Sequence, residues 1–404
     1  MSVESKLSEA EPSRAGSVQP IIAGLLASLV GYSSTFALVL AGLAAVGASP
    51  AQAGSGLFAL CLALGILNIA IAWRTRLPVS IAWSTPGVAF LATVGQVDGG
   101  FSAVVGGFLM ASALIVLSGI WKPFSRLVSA IPAPIANGML AGILLTLCLA
   151  PIKAVEAFPL LALPIILAWA LGLAFARRYA VPIAVLVALV VLGATTHLPV
   201  GVSLGGAPML EWVMPTFSLD AFIRVTVPLF IVTMASQNLP GIAVMRANGY
   251  ESFEPAPVFV ATGIASGVIA FFGGHLVNLA AITAAICAGP EAHPDPARRW
   301  VAPIAAGGGY LALGLLSGVA ATLIAAAPPL LIEAVAGLAL LSSLASAMAG
   351  AVAREDGRVP AILTFVTTAS GVTILGVGAA FWGIVAGLAL ALLLKLTERR
   401  DTTR

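Results

Sequence analysis

The sequence predicts an all-α polytopic membrane protein of fourteen transmembrane spans, built as a 7+7 inverted repeat with spans 3 and 10 broken. Three observations carry this expectation. Of 404 residues, 60% are hydrophobic and only 9% charged, which excludes a soluble domain of ordinary composition, about one quarter charged. The charges cluster, so apolar stretches of bilayer length recur from about residue 20 to residue 396. The basic residues also segregate. Cutting the apolar run at its charged, Pro and Gly positions gives span starts near Ile21, Pro50, Val79, Phe101, Pro132, Glu156, Val181, Leu219, Pro257, His275, Val301, Pro328, Pro360 and Gly378. An even count puts both termini on one side. With that side cytosolic, seventeen of the nineteen Lys and Arg lie inside, and only Lys153 and Arg224 lie outside. One missed or invented span would invert every later loop, so the charge bias tests the count. Trp73, Trp121 and Trp300 stand beside basic clusters, as an interfacial aromatic belt requires.

The net charge of +3 therefore encodes topology, and no nucleic-acid partner is read from it. Cys61, Cys148 and Cys287 lie far apart inside apolar runs and read as small buried hydrophobes. Residues 1–19 are polar without a signal-peptide pattern and read as a disordered cytosolic tail. The chain contains no HExxH, GxSxG, Walker loop or metal-ligand cluster, so no cofactor, metal or enzymatic activity is expected.

The longest non-cytosolic connection, Leu198 to Asp220, divides the chain into two sets of seven spans. Gly106-Gly107-Phe108-Leu109 opens the fourth span and Gly308-Gly309-Tyr310-Leu311 the eleventh. Gly142 falls opposite Gly337 at an offset of 195, and Ser84 opposite Asn278 and Gly95 opposite Gly289 at 194. Similar offsets in the same order indicate a repeat. Seven is odd, so the second copy enters the membrane from the opposite side.

The third span cannot be a plain helix. Pro86 disfavours helical backbone at Thr85 and leaves the Ala82 carbonyl without its donor. An extended segment from Val79 to Thr85 is expected, then a half-helix capped by Thr85 or Ser84. In the tenth span, His275 to Ala288 would cover only about 21 Å as a helix, short of a core of about 30 Å. Extending His275 to Asn278, with Asn278 as N-cap, raises the reach to roughly 28 Å. Two half-helices would then point their N-termini into one cavity near the midplane. That makes a partly positive site without buried Lys or Arg, suited to a small carboxylate or inorganic anion.

These residues resemble the benzoate/proton symporter family, the BenE-type transporters, related in fold to uracil and xanthine permeases and to sulfate and bicarbonate carriers. The resemblance covers nearly the whole chain. It is best marked at Gly31-Tyr32-Ser33-Ser34, Trp83-Ser84-Thr85-Pro86-Gly87, Ser236-Gln237-Asn238-Leu239-Pro240-Gly241 and Gly273-Gly274-His275-Leu276-Val277-Asn278. It implies a core domain of spans 1–4 and 8–11 (residues 20–127 and 205–326) and a gate domain of spans 5–7 and 12–14 (128–204 and 327–397). A second cytosolic tail, 398–404, follows. It further implies alternating-access import of an aromatic carboxylate with a proton across the cytoplasmic membrane, with substrate held between spans 3 and 10. A homodimer is compatible with it. A nucleobase permease or inorganic-anion carrier of the same fold is the alternative, and a channel or intramembrane enzyme ranks below both. Relatives of the uracil-permease type carry acids in spans 8 and 10; here span 8 offers Gln237 and Asn238, and span 10 no acid. That departure suits an anionic substrate.

The expected substrate-binding residues are Ser84, Thr85, Gln237, Asn238, Asn278, Trp83, Phe90 and Tyr32, and the proton-coupling candidates are Glu333 and His275. Each has a plainer alternative. Ser84, Thr85 and Asn278 could only cap helix ends; Gln237 and Asn238 could only satisfy backbone freed by Pro240. Trp83 and Phe90 could face a ring or pack in the core. His275, after a Gly pair, could be an interfacial side chain or a proton carrier. Glu333, just after Pro328-Pro329, is either an intramembrane acid or a helix N-terminal charge in the interface.

Overall fold

The structure, a computed structural model, describes residues 15–401 except 124–131, 196–207, 252, 281, 291, 321–327, 373 and 375–378. Its elements in order are α1 (Ala15–Ala45), α2 (Pro50–Thr75), β1 (Ile81–Trp83), α3 (Thr85–Val94), α4 (Gly100–Ile120), α5 (Ala133–Cys148), α6 (Ala150–Ala157), α7 (Pro159–Phe175) and α8 (Ala180–Thr195). There follow α9 (Leu219–Arg246), α10 (Ala256–Ala270), β2 (Val277–Leu279), α11 (Ile282–Ala288), α12 (Val301–Gly314), α13 (Pro329–Val352), α14 (Arg358–Ala369) and α15 (Ala379–Asp401). Seven of the described helices are long and apolar enough to cross a bilayer, and five more are shorter but apolar. Most of the expected N-terminal tail, the end of the C-terminal one, and 198–207 of the long connection lie outside the described residues. Residues 15–19, assigned to the tail from sequence, belong to α1.

The most extensive helix contacts fall into two packing groups, with α1 also reaching α13 across them. α1 packs on α3 and α12, α2 on α12, and α4 on α10; α5 packs on α13 and α14, α14 on α15, and α7 on α8. With no hydrophobic drive between helices in lipid, close backbone approach supplies the packing. α2 and α12 show this where Gly65 meets Gly307: a Cβ on Gly307 would lie 2.7 Å from the Gly65 carbonyl oxygen.

The helix at Pro86 starts only after an extended segment, as the proline predicts, and the segment around Asn278 is extended with it. β1 and β2 pair antiparallel, with Ile81 opposite Leu279, Ala82 opposite Asn278 and Trp83 opposite Val277. The ladder continues past the strands, the Ser84 amide donating to the Leu276 carbonyl and the Ala280 amide to that of Ser80, at 3.0 and 2.9 Å. Extended backbone inside a membrane needs every polar group satisfied. Single polar side chains on otherwise apolar helices meet this need at the outer edges. Asn68 of α2 binds both the carbonyl and the amide of Ile81. Ser266 of α10 accepts from Val277, and Asn238 of α9 accepts from Leu279.

α9 is not a uniform helix. It contains two π-helical turns, Phe222–Thr226 and Met234–Asn238. Each sits just before a proline, Pro228 or Pro240, whose missing N–H removes one rung of the ladder. The wider turn absorbs that loss and rotates the residues that follow it.

Candidate functional site

Ser84 is the N-cap of α3. Its hydroxyl accepts from the Gly87 amide at 3.2 Å and lies 2.7 Å from the Thr233 hydroxyl of α9. Ser84 is fully buried and lines neither of the two cavities described below. The Val88 amide is bonded to the Ser84 carbonyl, and Pro86 has no N–H. Thr85 is therefore the group of this first turn that faces open space.

That space is a cavity of about 320 Å³, within the ~300–1,000 Å³ range of small-molecule sites. Thr85, Trp83, Gln237, Thr283 and Tyr310 contribute to its wall. The Trp83 indole N–H donates to the Thr35 hydroxyl at 2.8 Å, fixing the ring plane. Tyr32 and Tyr310 each lie 6.0 Å from the Trp83 ring, centroid to centroid, and Tyr32 stacks on Phe36 at 5.2 Å. Four aromatic rings thus cluster beside the first turn of a half-helix. Thr283, on α11, pairs its hydroxyl with that of Ser80 at 3.2 Å.

Asn278 does not cap the second half-helix. It lies in the middle of β2, and α11 begins only at Ile282. Its Nδ2 donates to the Leu279 carbonyl at 2.7 Å, and its fully buried Oδ1 has no partner among the described residues. Pairing with β1 keeps this segment extended as far as Ala280, and that overrides the local capping preference of an Asn.

A second cavity, of about 340 Å³, shares no lining residue with the first. Phe90 belongs here, with Lys153, Arg224 and Glu333. Glu333 is an exposed side chain four residues inside α13. Arg224 donates to the carbonyls of Val94 and Gln96, at 3.2 and 3.1 Å, and pairs with Asp220 at 3.4 Å. A cation there complements the negative end of α3. The septum between the cavities is thin. It runs from Thr35 to Leu38 on α1, from Thr85 to Phe90 on α3, and from Ala336 to Ala339 on α13. That is a step of three to five residues, about 4.5 to 7.5 Å of helix rise.

The profile of the family described as BenE, benzoate membrane transport protein, matches residues 15–393. The chain belongs to this family. It is 41% identical over 382 residues to the inner membrane protein YdcO of Escherichia coli, covering 94% of this chain and 97% of that protein. It is 33% identical over 385 residues to the benzoate membrane transport protein of Acinetobacter baylyi, covering 94% and 96%. Among solved structures it resembles the transmembrane domain of the cyanobacterial bicarbonate transporter BicA, with TM-score 0.58, 14% identity and coverage of 92% of this chain and 97% of that one. The murine Solute Carrier 26 family member A9 anion transporter gives TM-score 0.59 at 13% identity, covering 98% and 70%. At such identities these two establish a shared fold, that of a mostly helical, multi-pass membrane protein.

Of the residues singled out from sequence, Trp83, Thr85 and Gln237 meet at the first cavity, while Phe90 and Glu333 meet at the second. Tyr32 backs Trp83 without lining either cavity. Asn238 is turned away, its Nδ2 toward the Met234 sulfur at 3.1 Å and its Oδ1 toward the Leu279 amide. His275 is not interfacial. It is fully buried against Phe108, with both ring nitrogens unpaired among the described residues, and lines neither cavity. Sequence reasoning missed Thr35, Thr283, Tyr310, Asn68 and Ser266 as parts of the site and its frame. Asn68 carried a usable signal, the one amide beyond the first turn of the apolar helix Pro50–Thr75.

Proposed function

We propose that this protein is a secondary transporter of the bacterial inner membrane that imports benzoate, or a related aromatic carboxylate, together with a proton. The observation that carries the reading is the first cavity, where a half-helix opens at Thr85 beside the Trp83 and Tyr310 rings. A helix N-terminus favours negative charge, and aromatic walls favour a ring in edge or offset contact. Benzoate joins both features in one small molecule. Thr85, Gln237 and Thr283 would hold its carboxylate, and the Trp83 side of the cavity its ring. Ser84, Asn238 and Asn278 act from behind, by holding the two strands in register.

The matching breaks in spans 3 and 10, joined across the antiparallel strand pair, support a 7+7 inverted repeat of fourteen spans. The two packing groups support a core of spans 1–4 and 8–11 moving against a gate of spans 5–7 and 12–14. The distribution of Lys and Arg supports cytosolic termini, with the first cavity opening toward the cytosol at Arg177 and the second toward the outside at Lys153 and Arg224. In this reading a displacement as long as the septum hands the substrate from one cavity to the other. Glu333 faces the outer cavity near Lys153, where a side chain can exchange protons with water. It is the proposed proton carrier, and His275, sealed among apolar residues, is set behind it.

The fold likeness to BicA and to the Slc26a9 anion transporter favours a second reading, an inorganic-anion carrier. The aromatic lining argues against it, since a small hydrated anion gains nothing from Trp83 and Tyr310. Uptake of labelled benzoate, bicarbonate, sulfate and uracil into proteoliposomes, with and without an imposed pH gradient, decides between them. Gradient-driven accumulation of benzoate alone is the expected result. Accumulation of bicarbonate or sulfate without benzoate would overturn the assignment.

A further inference from the structure

We propose that Arg177 is a carboxylate-capture residue, the guanidinium that an aromatic acid meets at the mouth of the first cavity. The proposal deepens the transport reading above and rests on it. Arg177 is the one charged side chain among the described residues lining this cavity, which otherwise offers apolar surface, hydroxyls and the Gln237 amide. From charge counting alone Arg177 is simply one of the cytosolic basic residues that set topology. Four other arginines that the charge count assigns to that side are occupied otherwise. Arg76 lies over the Trp300 and Trp73 rings at 4.0 and 4.8 Å. Arg298 and Arg354 pair with Asp295 and Asp356. Arg299 is buried and donates to the carbonyls of His293 and Ala288. The Arg177 side chain is exposed and makes no ion pair or hydrogen bond among the described residues, so its guanidinium donors are available.

Its placement is also fixed. Arg177 opens a 3-10 turn, Arg177–Tyr179, between α7 and α8. These helices close tightly behind it: a Cβ on Gly172 would lie 2.8 Å from the Ala180 Cα. The turn belongs to the packing group of α7 and α8, whereas Thr85 and Gln237 come from α3 and α9 across the cavity. A carboxylate inside therefore has a half-helix start on one side and a planar, permanently charged fork on the other. Arg suits that geometry because it binds carboxylate with two parallel N–H groups. Being near water, the charge acts over the Debye length, about 8 Å at physiological ionic strength, and serves to gather anions more than to hold them.

The test is calorimetric binding of benzoate and benzamide to the purified full chain at low and high salt. The wild type should bind benzoate more weakly as salt rises, with benzamide indifferent to it. Arg177→Gln should weaken benzoate binding at low salt by roughly 2- to 5-fold, the scale of an exposed ion pair, and flatten its salt dependence; Arg177→Lys should keep both largely intact. Because removing a topogenic charge can disturb insertion, Arg177→Cys provides a second route. After purification it is modified with a cationic or an anionic methanethiosulfonate, the three native cysteines being buried. The cationic adduct should restore salt-sensitive binding and the anionic one should depress it. Arg177→Gln with wild-type affinity and salt dependence, or equal binding by the two adducts, overturns the proposal alone. No benzoate binding by the wild type overturns the substrate reading and the proposal with it.

Discussion

Asn68 grips the peptide of Ile81 at both ends: its Nδ2 donates to the carbonyl at 2.8 Å and its Oδ1 accepts from the amide at 2.9 Å. An amide from a helix thereby does what a third strand would do in a soluble sheet. The first cavity depends on it, because Ile81 is two residues from Trp83 and four from Thr85.

Asn68→Ala should therefore be costly. It strands two buried backbone groups at about 1–3 kcal/mol each, so thermal unfolding in detergent should fall well below wild type. Ser266→Ala, which leaves the Val277 amide as the chief loss, should cost about half as much. Equal midpoints for wild type and Asn68→Ala would show that water or a rearranged strand replaces the amide.

Thr35→Val tests the orientation of the Trp83 ring. The substitution keeps shape but removes the acceptor for the indole N–H. A lost hydrogen bond of about 0.5–1.5 kcal/mol should weaken benzoate binding by roughly 2- to 10-fold, with little change in stability beyond that same amount. An unchanged dissociation constant would place the ring of the substrate elsewhere.

Charge selection follows from the half-helix at Thr85. Benzoate should bind at least about tenfold more tightly than benzamide, which needs only about 1.4 kcal/mol of preference, a sum within reach of one partly buried helix end. Ser84→Ala removes both the cap on Gly87 and the contact with Thr233, and should narrow the gap. Equal affinities for acid and amide in the wild type would remove the helix end from the binding account.

Glu333→Gln should slow uptake driven by a pH gradient more than it weakens equilibrium binding. Glu333 lines the second cavity, whereas the cavity of Trp83 and Thr85 is lined by other residues. Proton-driven accumulation at the wild-type rate would return the proton to another group, His275 first.

Topology is checked with an impermeant thiol reagent applied to intact cells. Cysteines placed at 209–217 should react from outside, and cysteines beside Arg177 or Arg298 should not. Reaction of all three from one side would dismantle the fourteen-span arrangement.

Local signals in the sequence translated well into structure, and non-local ones did not. Pro86 and Ser84 define the start of α3 because a proline's missing donor and a capping hydroxyl act within four residues. Asn278 misled because its segment answers to residues 80–84, nearly two hundred positions away, rather than to its own neighbours. The Gly pair before His275 reads as surface in one dimension; packing against Phe108 buries it in three. Gln237 and Asn238 were indistinguishable in sequence, and the π-helical turn that holds them decides which one lines the cavity. Arg177 was visible only as a charge, since nothing local indicates that a turn between two helices borders a site built by other helices.

The strand pair has a consequence for the way the chain must be made. When residues 80–84 leave the ribosome, the segment that completes their ladder, 276–280, has yet to be synthesised. At about 5 to 20 residues per second the wait is roughly 10 to 40 seconds, during which the broken span cannot rest in lipid with its peptide groups bare. The first half of the protein must therefore be sheltered, by the insertion machinery or by water, until the second half arrives. A chain cut at the long central connection would have to assemble from both fragments before either could bury its break.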